Sequence, residues 1–174
     1  MHRLLAAALI TVTALTVPAS ANTRPLELGS TINATQPYGS GKLTWLVFTA
    51  YDATLWMDAP QWSMNVPFAL TLRYRMGFET QELVERTIEE MEKVAPSSNA
   101  YQRFAPALSK AFPAVKDGDR ITALFVPGKP VRFFHNGVQT TDITDPAFAE
   151  PFFGIWFSPR TSEPKLRQAL LKLR

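Results

Sequence analysis

The sequence contains no cysteine. That excludes a disulfide framework, a thiol nucleophile and any cysteine-ligated zinc or iron–sulfur centre. Histidine is almost as scarce, with two in 174 residues. One of them, His2, belongs to the extreme N-terminus, so His135 stands alone in the body of the chain. A lone imidazole with no serine and aspartate arranged around it does not make a hydrolytic triad, and no Gly-x-Ser-x-Gly elbow is present. The reading of His135 is a residue flanking a hairpin turn; the alternative is an axial bond to haem, which asks for only one imidazole. No excess of one charge exists either: 18 basic residues stand against 15 acidic ones, interleaved, for a net charge of +3 and a pI of about 9.3. Nucleic acid is therefore not an expected partner.

Long apolar runs are also absent, with one exception at the start. Met1-His2-Arg3 is a short cationic lead, Leu4 to Val17 is unbroken Leu, Ala, Ile, Val and Thr, and Pro18-Ala19-Ser20-Ala21 supplies small residues for cleavage. This layout predicts a signal peptide over residues 1–21, cut after Ala21, and hence a periplasmic or secreted protein. The run is too short to span a bilayer and ends at a proline. No comparable run follows, so no transmembrane segment is expected once the signal is removed.

What is abundant is hydrophobic and aromatic: 46% and 11% of the chain, including four Trp and twelve Phe. Residues 22–37, rich in Asn, Thr, Pro, Gly and Ser, predict a flexible lead-in with at most one edge strand near Leu26–Ile32. Residues 38–174 predict one domain. Leu43 to Met57 is apolar on both alternating faces and predicts a single central strand covered on both sides. A second strand begins at Pro67, where Leu70, Leu72 and Tyr74 alternate with Thr71, Arg73 and Arg75. Residues 80–94 then switch to helical spacing, with glutamates early and Lys93 late, as the helix dipole favours. A second helical stretch over 100–112 is expected to kink at Pro106. Strands over 121–126 and 131–135 lead to Asn136-Gly137, the favoured two-residue hairpin signal, and a return strand. Asp145-Pro146 and Ser162-Glu163-Pro164 announce two C-terminal helices. Hairpin connections among the later strands predict an α+β fold around a mostly antiparallel sheet.

Few residues suggest chemistry. Gly39-Ser40-Gly41-Lys42 lacks the distal glycine and the following Ser or Thr of a phosphate loop, and predicts a turn. The glutamates at 79, 82, 85, 89, 90 and 92 have no His or Cys beside them, so they predict a solvated helix face and no metal site. Asp52 interrupts an otherwise buried strand and needs a partner, for which Arg73 and Arg75 are nearest. It is a structural ion pair, a residue at a strand bend, or an anion-binding or acid–base group at a cavity mouth. Trp62, in a proline-flanked loop, is either a lid on the core or a docking point for another protein. Aromatic residues not used in the core would line an apolar pocket between helices and sheet.

Taken in order, Gly39-x-Gly41, Tyr51-Asp52-Ala53-x-Leu55-Trp56, Leu72-x-Tyr74, Phe112-Pro113-x-Val115-x-x-Gly118-Asp119, Phe133-x-x-Asn136-Gly137, Asp145-Pro146-x-Phe148-Ala149 and Gly154-Ile155-Trp156-Phe157 resemble the exported bacterial branch of the chalcone isomerase-like family. The resemblance covers roughly residues 38–173. It implies an open-faced β-sandwich, a large antiparallel sheet with a helical layer on one face and a ligand cleft between them. Catalytic members close chalcones to flavanones and steer them with an arginine at the first central strand; others bind fatty acids without catalysis. Here residues 25–72 contain no arginine, and Lys42 is the only cation among them. The family threonine on that strand corresponds to Thr49 or Tyr51 depending on register, two positions that share a face. The function this implies is a periplasmic, non-catalytic binding or accessory protein for a small hydrophobic molecule such as a fatty acid or porphyrin. Tyr51, Arg73 and Tyr101 are its expected polar contacts, with no cofactor. The alternatives are an isomerase or intramolecular lyase using Lys42 or Arg73, and a protein–protein module built on the Trp62 loop.

Overall fold

Six strands lie side by side in chain order, every neighbouring pair antiparallel. They are β1 (Gly39–Trp45), β2 (Phe48–Trp56), β3 (Phe68–Tyr74), β4 (Arg120–Phe125), β5 (Val131–His135) and β6 (Val138–Ile143). Helices α1 (Thr80–Val94), α2 (Ala105–Ala111), α3 (Ala149–Phe157) and α4 (Pro164–Leu171) cover one face. The computed structural model describes residues 23–97 and 99–173; the signal peptide expected over residues 1–21 lies outside the described residues.

The period-two pattern decides which face is which. On β3, Phe68, Leu70, Leu72 and Tyr74 enter the main core beneath the helices, while Ala69 and Thr71 turn to the opposite face. Phe68 anchors one end of that core, its ring 4.7 Å from Phe153, 5.0 Å from Phe125 and 5.7 Å from Phe157 between centroids. Helix α3 is apolar nearly all round and buried to match. Helix α1 begins at a capping box in which the Glu79 N–H donates to Glu82 Oε2 at 2.7 Å. Residues 100–112 divide where proline predicts: a 3₁₀ turn over Ala100–Phe104, then α2 with Pro106 in its first turn.

Three expectations are corrected. The single strand over Leu43–Met57 is two strands joined at Leu46-Val47, a turn without Gly, Asn or Pro, in which Leu46 takes φ 54°. Gly39-Ser40-Gly41-Lys42 is part of β1 rather than a turn. Its glycines are there for packing: a Cβ on Gly39 would lie 2.1 Å from the Leu170 carbonyl oxygen, and one on Gly41 would lie 2.7 Å from Leu166 Cδ1. Helix α4 thus rests directly on the β1 backbone. Residues 23–37, expected as a loose lead-in, strap the back of the sheet, with a 3₁₀ turn over Leu26–Leu28 in place of an edge strand. Leu28 and Ile32 are wholly buried against Trp56, Ala69, Leu124 and Phe134. Arg24 ties this strap to itself, donating to the carbonyls of Gly29 (2.7 Å), Ile32 (2.5 Å) and Ala34 (3.2 Å). Glu27 ties it to the sheet, accepting from Thr122 Oγ1 at 2.7 Å and pairing with Arg120 at 3.2 Å.

Gly39→Ala therefore forces α4 off β1. We expect it to lower stability by about 1–3 kcal/mol or more, the scale of overpacking against backbone, read as a drop in thermal melting temperature. Ser40→Ala, next to it and exposed, should melt like the parent.

Candidate functional site

Over β1–β3, beside the place where α4 rests on β1, α1 and α3 stand away from the sheet and leave a cavity of about 380 Å³. Its floor is Leu43, Tyr51, Leu72 and Tyr74, with the exposed Thr44 at the rim; its roof is Leu83, Arg86, Thr87 and Glu90 of α1, with Ile155 and Trp156 of α3. Phe78 and Phe112 wall the sides, and Ser162 and Glu163 complete the rim ahead of α4. Most of this surface is apolar, with polar groups in two places.

The first place is the floor. Trp156 Nε1 donates to the Tyr51 hydroxyl at 3.0 Å, and Tyr74 packs edge-on against Tyr51 with centroids 5.9 Å apart. Burial pushes the Tyr51 hydroxyl far above its ordinary pKa, against a smaller opposing effect of the Trp156 hydrogen bond. Burial, then the neighbouring Tyr51, does the same to Tyr74. Both phenols stay protonated and are hydrogen-bond donors. Because Trp156 already fills an acceptor position on Tyr51, the Tyr51 O–H is left to donate to something else.

The second place is the rim. Glu90, only 5% exposed, departs from the solvated face expected for the glutamates. It accepts from Lys93 Nζ at 2.7 Å, pairs with Arg86 at 2.8 Å, and accepts the Ser162 hydroxyl proton. Burial raises its pKa, but the hydrogen bonds from Lys93 and Ser162 and the charges of Arg86 and Lys93 outweigh it and leave the group below its ordinary value. Glu163 is shifted the other way, up, by burial and then by the charge of Glu90. Arg86, the cation of the rim, is held by Glu90.

The expected site residues separate. Tyr51 lines the cavity; Arg73 and Tyr101 do not. Arg73 lies on the opposite sheet face, in register with Asp52. Tyr101 donates to the Ala95 carbonyl at 2.7 Å, where it closes the end of α1. Asp52 sits on the back face and is bonded by Arg75 Nε at 2.6 Å, an ion pair away from the cavity mouth. His135 ends β5, 3.7 Å from Asp119 and away from the cavity. Trp62 folds onto the core, 4.6 Å from the Phe157 ring. Glu90 was missed, although its spacing from Leu83, Thr87 and Val94 places it on an inward stripe of α1. Among the described residues no group of three His, Cys, Asp or Glu is placed to hold a metal ion, and no helix is long and apolar enough to cross a membrane.

A six-stranded antiparallel sheet, helices on one face and a largely apolar hollow between them define an open-faced α+β architecture. The chain belongs to the chalcone isomerase-like family, whose model matches residues 38–172. An uncharacterized protein of Haemophilus influenzae is 25% identical over 137 residues, 78% of this chain and 67% of that one. The crystal structure of a fatty-acid binding protein of Arabidopsis thaliana superposes with a TM-score of 0.60 at 10% identity, covering 78% of this chain and 86% of its own. At that identity the likeness establishes the fold.

The two rim carboxyls give opposite pH effects. Ionised Glu90, with a lowered folded-state pKa, stabilises the fold above its ordinary value of 4.5 and loses that contribution as pH falls through the lower folded value. Glu90→Gln should therefore be about 1–2 kcal/mol less stable at pH 7, less than a fully buried pair because Arg86 and Lys93 are 60% and 50% exposed. The difference should shrink in melts taken below pH 4.5. Ionised Glu163 weakens the fold at neutral pH, so Glu163→Gln should melt above the parent at pH 7 and alike below pH 4.5.

Proposed function

We propose that this is a non-catalytic binding protein that holds a small hydrophobic molecule in the hollow beneath α1 and α3. The observation that carries the reading is an apolar cavity with two protonated phenols, Tyr51 and Tyr74, in its floor. Apolar walls take a hydrocarbon body, while a few placed polar groups fix one end of it. With Trp156 donating to Tyr51, the hydroxyl presents its proton, so the ligand's polar end is an acceptor: a carbonyl or the carboxyl group of a fatty acid. A cavity of about 380 Å³ lies toward the small end of ligand sites, which favours a slim chain over a flat macrocycle such as a porphyrin. The fatty-acid binding neighbour of the same fold supports that class.

A non-catalytic role is supported by the cations. Residues 25–72 offer only Lys42, which does not line the cavity, and Arg86 is neutralised by Glu90 at 2.8 Å. Binding is proposed to happen after export, on the strength of the signal-like residues 1–21; protein recovered from a periplasmic fraction should then begin at Asn22 when its N-terminus is sequenced.

Displacement of a fluorescent fatty-acid analogue tests the site. Tyr51→Phe should weaken binding about fivefold, the worth of one net hydrogen bond near 1 kcal/mol. Thr87→Trp, which pushes an indole into the cavity from the roof, should abolish binding while circular dichroism shows the fold intact. Parent-like affinity in a folded Thr87→Trp protein would overturn the proposal.

A further inference from the structure

The turn between β1 and β2 is anomalous in a way that folding does not explain. Leu46 and Val47 are 81% and 84% exposed, and Phe48 beside them is 61% exposed. Leu46 also takes a left-handed φ of 54°, which a branched side chain disfavours and for which a two-residue hairpin turn ordinarily uses Gly, Asn or Asp. The same chain makes its β5–β6 turn from Asn136-Gly137. Three contiguous apolar side chains are thus held in water at a strained tip.

The surroundings indicate what covers them. Beneath the tip on the back of the sheet, Val47 and Phe48 share a depression with Lys42, Asp52 and Arg75. Lys42 and Arg75 thus stand beside one carboxylate, Asp52, and the charge at that flank of the tip sums to positive. On the other side, Thr44, exposed and two residues from Leu46, is part of the cavity rim. An apolar patch of three side chains is far smaller than a stable protein interface, which buries roughly 800 Å² on each partner. It suffices for shallow insertion into a bilayer when basic groups flank it and meet anionic headgroups.

We propose that the Leu46-Val47-Phe48 tip inserts into the surface of a membrane containing anionic lipid, with Lys42 and Arg75 against the headgroups. That places the cavity rim at the lipid surface, where an apolar ligand can pass without crossing water. The surface contact stands on the tip and the cations beside it; only its use for loading rests on the ligand reading.

Co-sedimentation with large vesicles is the test, comparing mixed phosphatidylglycerol–phosphatidylcholine with pure phosphatidylcholine at low salt. The parent should pellet with the anionic vesicles and release as salt is raised. The double variant Leu46→Gly with Val47→Ser suits the turn better and should melt at or above the parent, yet its vesicle partitioning should fall at least tenfold. Lys42→Ala should weaken binding to anionic vesicles severalfold and leave the residual binding to phosphatidylcholine unchanged. Failure of the parent to pellet with anionic vesicles, or equal pelleting by the folded double variant, overturns the proposal. Fatty-acid affinity of the double variant in vesicle-free solution should equal the parent's, so loss of the membrane contact and loss of the ligand site are read separately.

Discussion

A buried carboxylate sets the shape of the helical layer at the end where the hollow lies. Glu90 faces inward from α1 and is reached by Arg86 and Lys93 from its own helix and by Ser162 from the segment between α3 and α4. An ionised group in that position is costly to bury unless its hydrogen bonds are filled, and these three donors fill them. The same bonds join α1 to the α3–α4 connection, so the roof and rim of the cavity are linked through one side chain. Farther along β3 and β4 the layer is brought down onto the sheet by rings, where Phe68, Phe125, Phe153 and Phe157 interlock. The hollow lies where aromatic packing gives way to a polar clasp.

Around that clasp the two faces of the sheet do different work. The back is closed by residues 23–37, whose Leu28 and Ile32 are buried and whose Glu27 reaches Thr122 and Arg120. This lets the central strands be apolar on both sides without exposing either. The front is shared between core and cavity, with Tyr51 and Tyr74 where a simple core would place more aliphatic carbon. Two phenols and an indole set in an otherwise apolar floor are groups suited to orienting the polar end of a guest.

Much of the scaffold was legible from periodicity. Helix α1 coincides with its predicted bounds, and the Asn136-Gly137 hairpin forms where that dipeptide calls for positive φ. Tyr51 was singled out by the resemblance and by its face on the strand, and it lines the cavity. Other features were hidden for physical reasons. The β1–β2 turn carries no turn residue, so Leu46-Val47 reads as uninterrupted strand. Gly39 and Gly41 look like turn formers until α4, more than a hundred residues later in the chain, is seen against them. Arg73 and Tyr101 are plausible polar contacts in one dimension, but strand alternation sends the first to the back face and a local hydrogen bond to Ala95 occupies the second. Glu90 was legible in part, since its helical stripe is apolar; its partner Ser162 lies 72 residues away and no local pattern announces it.

The central claim is that the space between sheet and helices receives a guest whose polar end meets the two phenols. A crystal structure obtained with a fatty acid brominated at its far end tests this most directly. The account predicts an anomalous bromine signal inside the cavity under α1 and α3, with the carboxyl group within hydrogen-bonding distance of the Tyr51 hydroxyl. A cavity closed by Trp156 and Phe112, with bromine bound only on the outer surface, would contradict it.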